Sequence, residues 1–500
     1  MSLLDTILNR ITMYRLTFLG LAGLVLLAIF LASFGVLSIS ASAIAYTAIL
    51  LLLFCHTTNI LFAKIAHTKP NAESAWITAL ILTLIVGPLP MGSLNTLGLL
   101  LFLAIAAMAS KYLLTLNSKH IFNPAGFGVF ASALLLNQGA SWWVGTLYLA
   151  PAVLVFGLIL SKKIGRGSMI WSFLATYGIL ILLLNAEGLH SPGGLSQTAN
   201  FLWGILVFSP ILFFAFVMLP EPQTSPKRQW PEIWYGIFAA LALALLQRYL
   251  PVSYTLELAL LSSNAFAFVI APIKRIHVQL QEKAEIAPAI FSFWFAPHAS
   301  FSFIPGQFLE WTLHHTGADS RGIRRYFTIA SSPTESGILL TAKIPEKQST
   351  FKKALVELKP GEQAMATGAE GDFVLPKDKN KKLAFIAGGV GITPFRSMAK
   401  YLIDKNMQCD IVLLYSANRP EEFVFTELFN DAKSRGLNPV YITERVNDEL
   451  IRQNIPDWKD RLFYVSGPQP MVKAIEKNLA LMGIPKRDIK RDYFPGYETI

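Results

Sequence analysis

The chain has two cysteines in 500 residues, Cys55 and Cys409, and they lie far apart. That excludes a disulfide framework and an iron–sulfur cluster, which takes about four thiolates. Charge is also scarce: 15% of residues are charged, against 53% hydrophobic. Such a chain is too apolar for a soluble protein and too charged for a wholly embedded one. Carboxylates are scarcest in the first half. Residues 1–275 hold 14 Lys and Arg but 6 Asp and Glu, whereas residues 276–500 hold 29 and 26. Most of the net charge of +11 therefore lies in the apolar half, where it serves membrane topology rather than nucleic acid. No Asp or Glu falls well inside an apolar stretch, which argues against a carboxylate proton relay. Histidines do not pair there either. His56 is the clear intramembrane one; His67, His120 and His190 fall at stretch ends or in loops, so the axial pairs of a haem bundle are missing. His56 reads as an interhelical hydrogen-bonding residue or as a contact to a flavin or quinone. No metal site is expected. The first apolar stretch runs too long for a cleaved signal peptide.

What is present is a series of apolar stretches of spanning length. Ten can be drawn, near 16–38, 42–63, 74–90, 94–115, 122–138, 142–161, 168–185, 199–219, 232–250 and 254–273. The shorter ones, 74–90 and 122–138, read as tilted or re-entrant. The loops carry an independent signal. Arg10 and Arg15 precede the first stretch; Lys64 and Lys69 follow the second; Lys111 and Lys119 follow the fourth. Lys162, Lys163 and Arg166 follow the sixth, Lys227 and Arg228 the eighth, Lys274 and Arg275 the tenth; Arg248 is the exception to the alternation. Positive charge on every second loop predicts a multi-pass protein of the inner (cytoplasmic) membrane with both termini in the cytoplasm.

Two polar stretches interrupt the apolar pattern on the expected inner side. One is Lys119-His120-Ile121-Phe122-Asn123-Pro124-Ala125-Gly126; the other is Glu221-Pro222-Gln223-Thr224-Ser225-Pro226-Lys227-Arg228. Asn-Pro breaks a helix and frees polar backbone, which membrane proteins tolerate where it lines a site. Thr224 and Ser225, beside Lys227 and Arg228, suit a phosphate; an interfacial loop with an ordinary helix start suits them equally. On these stretches, residues 10–275 resemble the flavin-bearing membrane proteins of the Rnf electron-transport complex and of the sodium-pumping NADH:quinone reductase. The resemblance implies a membrane flavin such as FMN near His120, Asn123, Thr224 and Ser225. That family's covalent flavin sits on a Thr in a Ser-Gly-Ala-Thr type sequence. The nearest counterpart here is Ser196-Gln197-Thr198, which departs in spacing and in lacking the glycine, and Thr198 falls on the expected outer side.

After Arg275 the pattern turns to short, partly alternating runs: His277–Leu280, Ile290–Phe295, Gln307–Trp311 and Gly337–Ile344, separated by turns such as Pro305-Gly306. This predicts an antiparallel β-barrel over 276–375, closed by Gly368–Phe373. Within it lies Arg325-Tyr326-Phe327-Thr328, a basic residue, aromatic rings and a hydroxyl on one strand. The set suits a flavin: a guanidinium for a phosphate, a ring for the isoalloxazine, a hydroxyl for the N5 edge. Ser349 and Thr350 start a helix, where capping and pyrophosphate binding are both natural roles.

Residues 376–500 read as an α/β nucleotide-binding domain. Strand Lys382–Ala387 runs into Gly388-Gly389-Val390-Gly391-Ile392-Thr393-Pro394 and a helix, the form of a dinucleotide phosphate cradle. Strand Ile411–Ser416 is followed by Arg419, and strand Leu462–Val465 by Ser466-Gly467-Pro468-Gln469-Pro470-Met471. The order of these pieces resembles the ferredoxin–NADP reductase superfamily, in its ferric-reductase and flavohaemoglobin-reductase branch, over residues 276–500. By that resemblance Arg325, Tyr326, Phe327 and Thr328 bind FAD, with Ser349 and Thr350 at its phosphates. Gly388, Gly389, Gly391, Thr393, Pro394, Arg419, Gly467, Pro468, Met471 and the C-terminal Phe494 shape the nicotinamide nucleotide site, and Thr328 and Ser466 stand on the hydride path. Phe327 replaces the commoner Tyr, Ser466 a common Cys, and Asp492 the usual Glu. NADH and NADPH both stay open, since Ser416 and Arg419 suit a 2′-phosphate yet Arg419 is common in NADH users.

The expected protein is a membrane-bound oxidoreductase passing electrons from cytoplasmic NAD(P)H through FAD to a flavin, quinone or metal in or across the membrane. A haem-bearing ferric-reductase or NADPH-oxidase-like enzyme, and a transporter with a regulatory nucleotide-binding tail, are the alternatives.

Overall fold

The protein is seen in a computed structural model that describes residues 11–66, 68, 70–116, 119–184, 200, 203–205, 207–226, 229–271, 275–319 and 322–494. The chain divides into two compact units, Met1–Pro272 and Ile273–Ile500.

The first unit is helical: α1 (Met13–Ser33), α2 (Ala41–Ile65), α3 (Ala72–Val86) and α4 (Leu94–Leu113), then α5 (Pro124–Leu136), α6 (Ala150–Ile164) and α7 (Gly167–Leu184). After a segment running through Ile211–Phe213 into π-helical Phe214–Met218 come α8 (Gln229–Tyr249) and α9 (Thr255–Ile270). A short hairpin, β1 (Thr115–Leu116) and β2 (Lys119–His120), joins α4 to α5. Local chemistry sets the ends. Asn71 caps α3 by accepting from Ser74 N, and Gly87 at φ 88° stops it. Asn123 caps α5 by accepting from Gly126 N, with Pro124 in the first turn, and Asn137 ends it in the left-handed region. Among the described helices, five are long and apolar enough to cross a membrane: α1, α2, α4, α7 and Trp230–Tyr249 of α8. The ten spans expected from sequence are thus five by length and composition. The stretches drawn at 74–90, 122–138 and 254–273 are shorter apolar helices of 15, 13 and 16 residues. For the first two the reason is local: helix-stopping Gly87, Asn137 and Asn123-Pro124 cut apolar runs that hydropathy reads as continuous. Small residues let the helices close on one another. A Cβ on Gly236 would enter Met169 O and the Ser172 side chain, and one on Gly157 would enter the Phe216 ring.

The second unit holds two sheets. The first contains β3 (Arg275–Ala287), β4 (Ile290–Pro297), β5 (Phe308–Thr312), β6 (Arg324–Thr328), β7 (Ile338–Lys343) and β8 (Gln363–Thr367) in the order β6-β5-β8-β3-β4-β7, all pairs antiparallel. The expected barrel is therefore a six-stranded sheet whose edges, β6 and β7, share no ladder. They meet just beyond β6, where Ala330 N donates to Leu339 O at 2.8 Å. Gly368–Phe373, expected as the closing strand, forms only a bridge between Phe308 and Glu370 and turns at Gly371, φ 110°. Helix α10 (Thr350–Glu357) drives Phe351 and Leu355 into a core of Val278, Leu280, Phe293, Leu309 and Trp311.

The second sheet is parallel: β9 (Leu383–Gly388), β10 (Ile411–Ser416), β11 (Leu437–Ile442), β12 (Leu462–Pro468) and β13 (Ile489–Phe494), in the order β11-β10-β9-β12-β13. Strands β11 and β13 escaped the sequence reading: β11 has Asn438-Pro439 near its start, and β13 is largely charged. Helix α11 (Thr393–Asp404) follows β9, and α12 (Gln469–Leu481) follows β12. The chain leaves β9 on one side for β10 and returns on the other as β12. Such a switch point opens a crevice at the carboxyl ends of the strands.

Candidate functional site

At that switch point the glycines are required by close approach. A Cβ on Gly391 would collide with Ser466 O and Gly467, and one on Gly388 with the Met471 sulfur. A Cβ on Gly467, at φ 156°, would lie 3.3 Å from Gly388 backbone atoms. Gly388, Gly391, Gly467 and Met471 are thus one assembly, built from turns about 80 residues apart. Pro394 opens α11; the Thr393 hydroxyl is turned inward, donating to Val390 O at 3.0 Å. Gly389 has φ 52° and open space around its Cα. Arg419 is exposed before a short turn of helix at Pro420, and Ser416 donates to Glu444 O at 3.0 Å. Pro468 pairs with Phe494 in the ladder between β12 and β13; the Phe494 side chain lies outside the described residues.

Three polar side chains converge beside this crevice. Ser466 is fully buried and its Oγ lies 3.4 Å from Asp492 Oδ2. Thr328, at the end of β6, is buried, and its Oγ1 has no hydrogen-bond partner. Burial pushes the Asp492 carboxyl up to about 6; its bond to Ser466 and the Thr328 hydroxyl, which lies near it but beyond ordinary hydrogen-bond distance, pull the other way, and the charge of Asp372 adds to the rise. A buried hydroxyl with nothing to bond is costly unless something else fills the place. An acceptor such as a flavin edge suits it.

The phosphate end is more occupied than the motif implies. Arg325 grips Asp319 in a fork, Nη2 to Oδ1 at 2.8 Å and to Oδ2 at 3.0 Å, and lies over the Phe351 ring at 5.5 Å. Thr350 Oγ1 meets His315 Nε2 and Asp319 N, both at 3.0 Å. Ser349 caps α10 by accepting from Lys352 N. His315 and Asp319 were missed because their partners lie 35 and 6 residues on, in a loop with no motif. The strand also sorts its rings. Phe327 packs inward, 5.9 Å from Phe351, while Tyr326 is 48% exposed and edge-on to Phe308. The exposed ring on this strand is therefore Tyr326.

In the helical unit the two polar stretches meet. His120 Nε2 lies 3.1 Å from Glu221 Oε1; Thr224 donates to Glu221 Oε2 at 3.2 Å and Ser225 to Glu221 O at 2.7 Å. Asn123 N donates to Asn264 Oδ1 at 2.9 Å, and Asn264 Nδ2 donates to Tyr235 OH at 2.8 Å. The π-helical turn ending at Leu219 delivers Glu221 to this cluster. Glu221, Asn264 and Tyr235 joined no motif in the sequence, since only folding brings them together. Thr198, Lys227 and Arg228 lie outside the described residues. His56 stacks on Trp76 at 5.9 Å, and its Nδ1 has no hydrogen-bond partner. The interior is also less free of carboxylates than the sequence suggests. Glu232 is buried against Arg166 at 2.6 Å, and Glu257 is fully buried. Both sit in first turns, where a count of residues deep within a span passes over them.

Residues 385–477 match the oxidoreductase NAD-binding domain family. Flavohemoprotein A of Dictyostelium discoideum is 24% identical over 237 residues, covering 43% of this chain and 59% of its own. The stachydrine N-demethylase reductase subunit of Rhizobium meliloti is 27% identical over 209 residues, covering 39% and 58%. An NADPH oxidoreductase of Mycobacterium tuberculosis is 28% identical over 198 residues, covering 38% and 51%. The chain thus spans between 51% and 59% of the length of these curated relatives. Among solved structures, the Amycolatopsis cytochrome P450 reductase aligns with TM-score 0.41 at 20% identity, covering 45% of this chain and 70% of its own. The FAD/NAD-binding domain of a Vibrio cholerae nitric oxide dioxygenase aligns with TM-score 0.39 at 20% identity, covering 44% and 98%. The likeness to an oxidoreductase NAD-binding domain thus lies within the C-terminal unit, at residues 385–477.

Proposed function

We propose that the chain is a membrane-bound oxidoreductase that passes electrons from NAD(P)H through FAD to an acceptor in or across the membrane. One observation carries the reading: the unpartnered Thr328 hydroxyl, Ser466 and Asp492 converge at the glycine-built switch point of the parallel sheet. A bound FAD would supply hydride acceptance from a nicotinamide and release of electrons one at a time. The residues hold and orient. Arg325, Thr350 and the start of α10 would meet the FAD phosphates, Tyr326 or Phe327 the ring, and Thr328 its N5 edge. The backbone at Gly388–Gly391 would take the nucleotide phosphates, and Gly467, Pro468 and Met471 would bound the nicotinamide. Closing these turns together excludes water from the transfer. The Asp492 carboxyl, raised by burial, stands beside both hydroxyls and orients them.

The helical unit supplies the membrane part. Its apolar helices and the alternation of Lys and Arg between loops support a multi-pass protein of the inner membrane, with both termini cytoplasmic. The cluster of His120, Asn123, Glu221, Thr224 and Ser225 supports a polar acceptor site there, for FMN or another flavin, or a quinone. The test is an absorbance spectrum of the detergent-purified full chain before and after NADH or NADPH. Bleaching of the flavin, followed by reoxidation on adding a quinone analogue, is the expected result. A flavin that neither nucleotide bleaches would sink the proposal.

A further inference from the structure

Of the carboxylates inside the helical unit, Glu221 holds His120 and Thr224, and Glu232 holds Arg166. Glu257 differs. It is the third residue of α9 and 0% exposed. Its Oε1 accepts the Trp142 indole N–H at 2.9 Å, while Oε2 has no hydrogen-bond partner. No charged side chain among the described residues acts on it. The elements packed against α9 bring none. Helix α5 carries no titratable side chain. On α8, Glu232 is paired with Arg166, Tyr235 with Asn264, and Arg248 lies over the Tyr249 ring.

Helix α5 runs along the first half of α9, with Phe130 edge-on to Tyr254 at 5.7 Å and Gly126 against Leu260. On α5, Ser132 is fully buried and its Oγ also lacks a partner. Thr146 Oγ1, in the loop that carries Trp142, is a third buried polar atom without one. That loop is tied down by Trp142 N to Ile85 O at 2.8 Å and by Trp143 Nε1 to Thr83 O at 2.8 Å, and Trp142 sits at φ 48°. A carboxylate buried without a cation is costly. The acid form suits the place: one oxygen accepts from the indole, and the other carries an O–H.

We propose that Glu257 is a proton-binding site of the helical unit, held as the carboxylic acid and able to release and retake its proton at Oε2. Each exchange moves one proton and no electron. Ionisable groups inside membrane helices mark proton and ion paths, and this one stands apart from the cluster at Asn264, seven residues or ~10 Å further along α9. The proposal does not depend on which acceptor the electrons reach.

The test is labelling of the purified full-length protein with dicyclohexylcarbodiimide. The acid O–H adds across a C=N bond of the reagent, and the adduct rearranges to a stable N-acylurea. Peptide mass spectrometry should find the label on Glu257 and lose it completely in Glu257→Gln. The amide oxygen of that variant can still accept from Trp142, so elution volume and helical circular dichroism should be unchanged. A wild-type protein with no label on Glu257 overturns the proposal, whatever the variant does. Protection from labelling by sodium but not by choline also overturns it, making the site one for a metal cation. Infrared spectra give the exchange itself. A carboxylic C=O band that shifts in D2O and is missing from Glu257→Gln supports the proposal; a band that does not shift overturns it.

Discussion

At the scale of single residues, the decisive features are polar groups whose partners are missing or distant. Asp492 gives a pH prediction. Its carboxyl is pushed from an ordinary 3.8 up to about 6, chiefly by burial. The folded value exceeds the unfolded one, so the fold favours the protonated form. Below 3.8 both states are protonated and nothing is lost; as pH rises through about 6 the charged form becomes a cost that then levels off. Asp492→Asn should therefore match wild type in acid and exceed it above that window. The gain should be ~1–2 kcal/mol after allowing for partial exposure, read from denaturant melts across pH. A gap that shrinks as pH rises would contradict the assignment. Arg325 gives a second prediction. Arg325→Ala should weaken FAD retention by ~10–100-fold, the range of a charge-assisted bond, whereas Tyr326→Ala should keep FAD and alter its spectrum. Flavin-to-protein ratios after gel filtration decide this. Arg325 and Thr328 were legible in the sequence because they share one strand. Asp319, His315, Glu221 and Glu257 were not, because a side chain's partner across the fold leaves no local trace.

At the scale of elements, turns and helix ends hold the site. Gly391→Ala would set a methyl against Ser466 O and push β12 from β9. The variant should retain FAD and lose most of its reduction by NAD(P)H, a drop of ~10-fold or more in stopped-flow bleaching. Equal rates would show that the close approach is not needed. A second element-scale link joins α11 to the segment between β6 and β7. Arg396 pairs with Glu335 and donates to Ala330 O, and Ser397 Oγ donates to Ser331 O at 2.6 Å. Breaking it with Arg396→Met should cost ~2–4 kcal/mol of stability in this unit, since a nearly buried carboxylate loses its cation. Chemical denaturation followed by flavin fluorescence measures it. Most of these elements could be read in advance from periodicity and turn residues. Strands β11 and β13 could not, because neighbours in the sheet, rather than β propensity, hold Asn438-Pro439 and a charged run extended.

At the scale of the whole molecule, the chain is two units of opposite solvent preference. The second has its own cores and two complete sheets within Ile273–Ile500. Expressed alone, residues 275–500 should stay soluble without detergent, bind FAD and reduce ferricyanide with NADH or NADPH. Insolubility or loss of FAD would show that the unit needs the helices to fold. Local pattern was enough to establish the apolar-to-mixed change near residue 275, the strand-turn-helix at Gly388–Pro394 and the strand at Arg325–Thr328. Those depend on interactions a few residues long. Tertiary structure alone decided that six antiparallel strands leave β6 and β7 unladdered, that Tyr326 rather than Phe327 is the exposed ring, and that Trp142 meets Glu257 across 115 residues. Contacts of that kind form only when the core closes, and their energy depends on burial that no single segment can express.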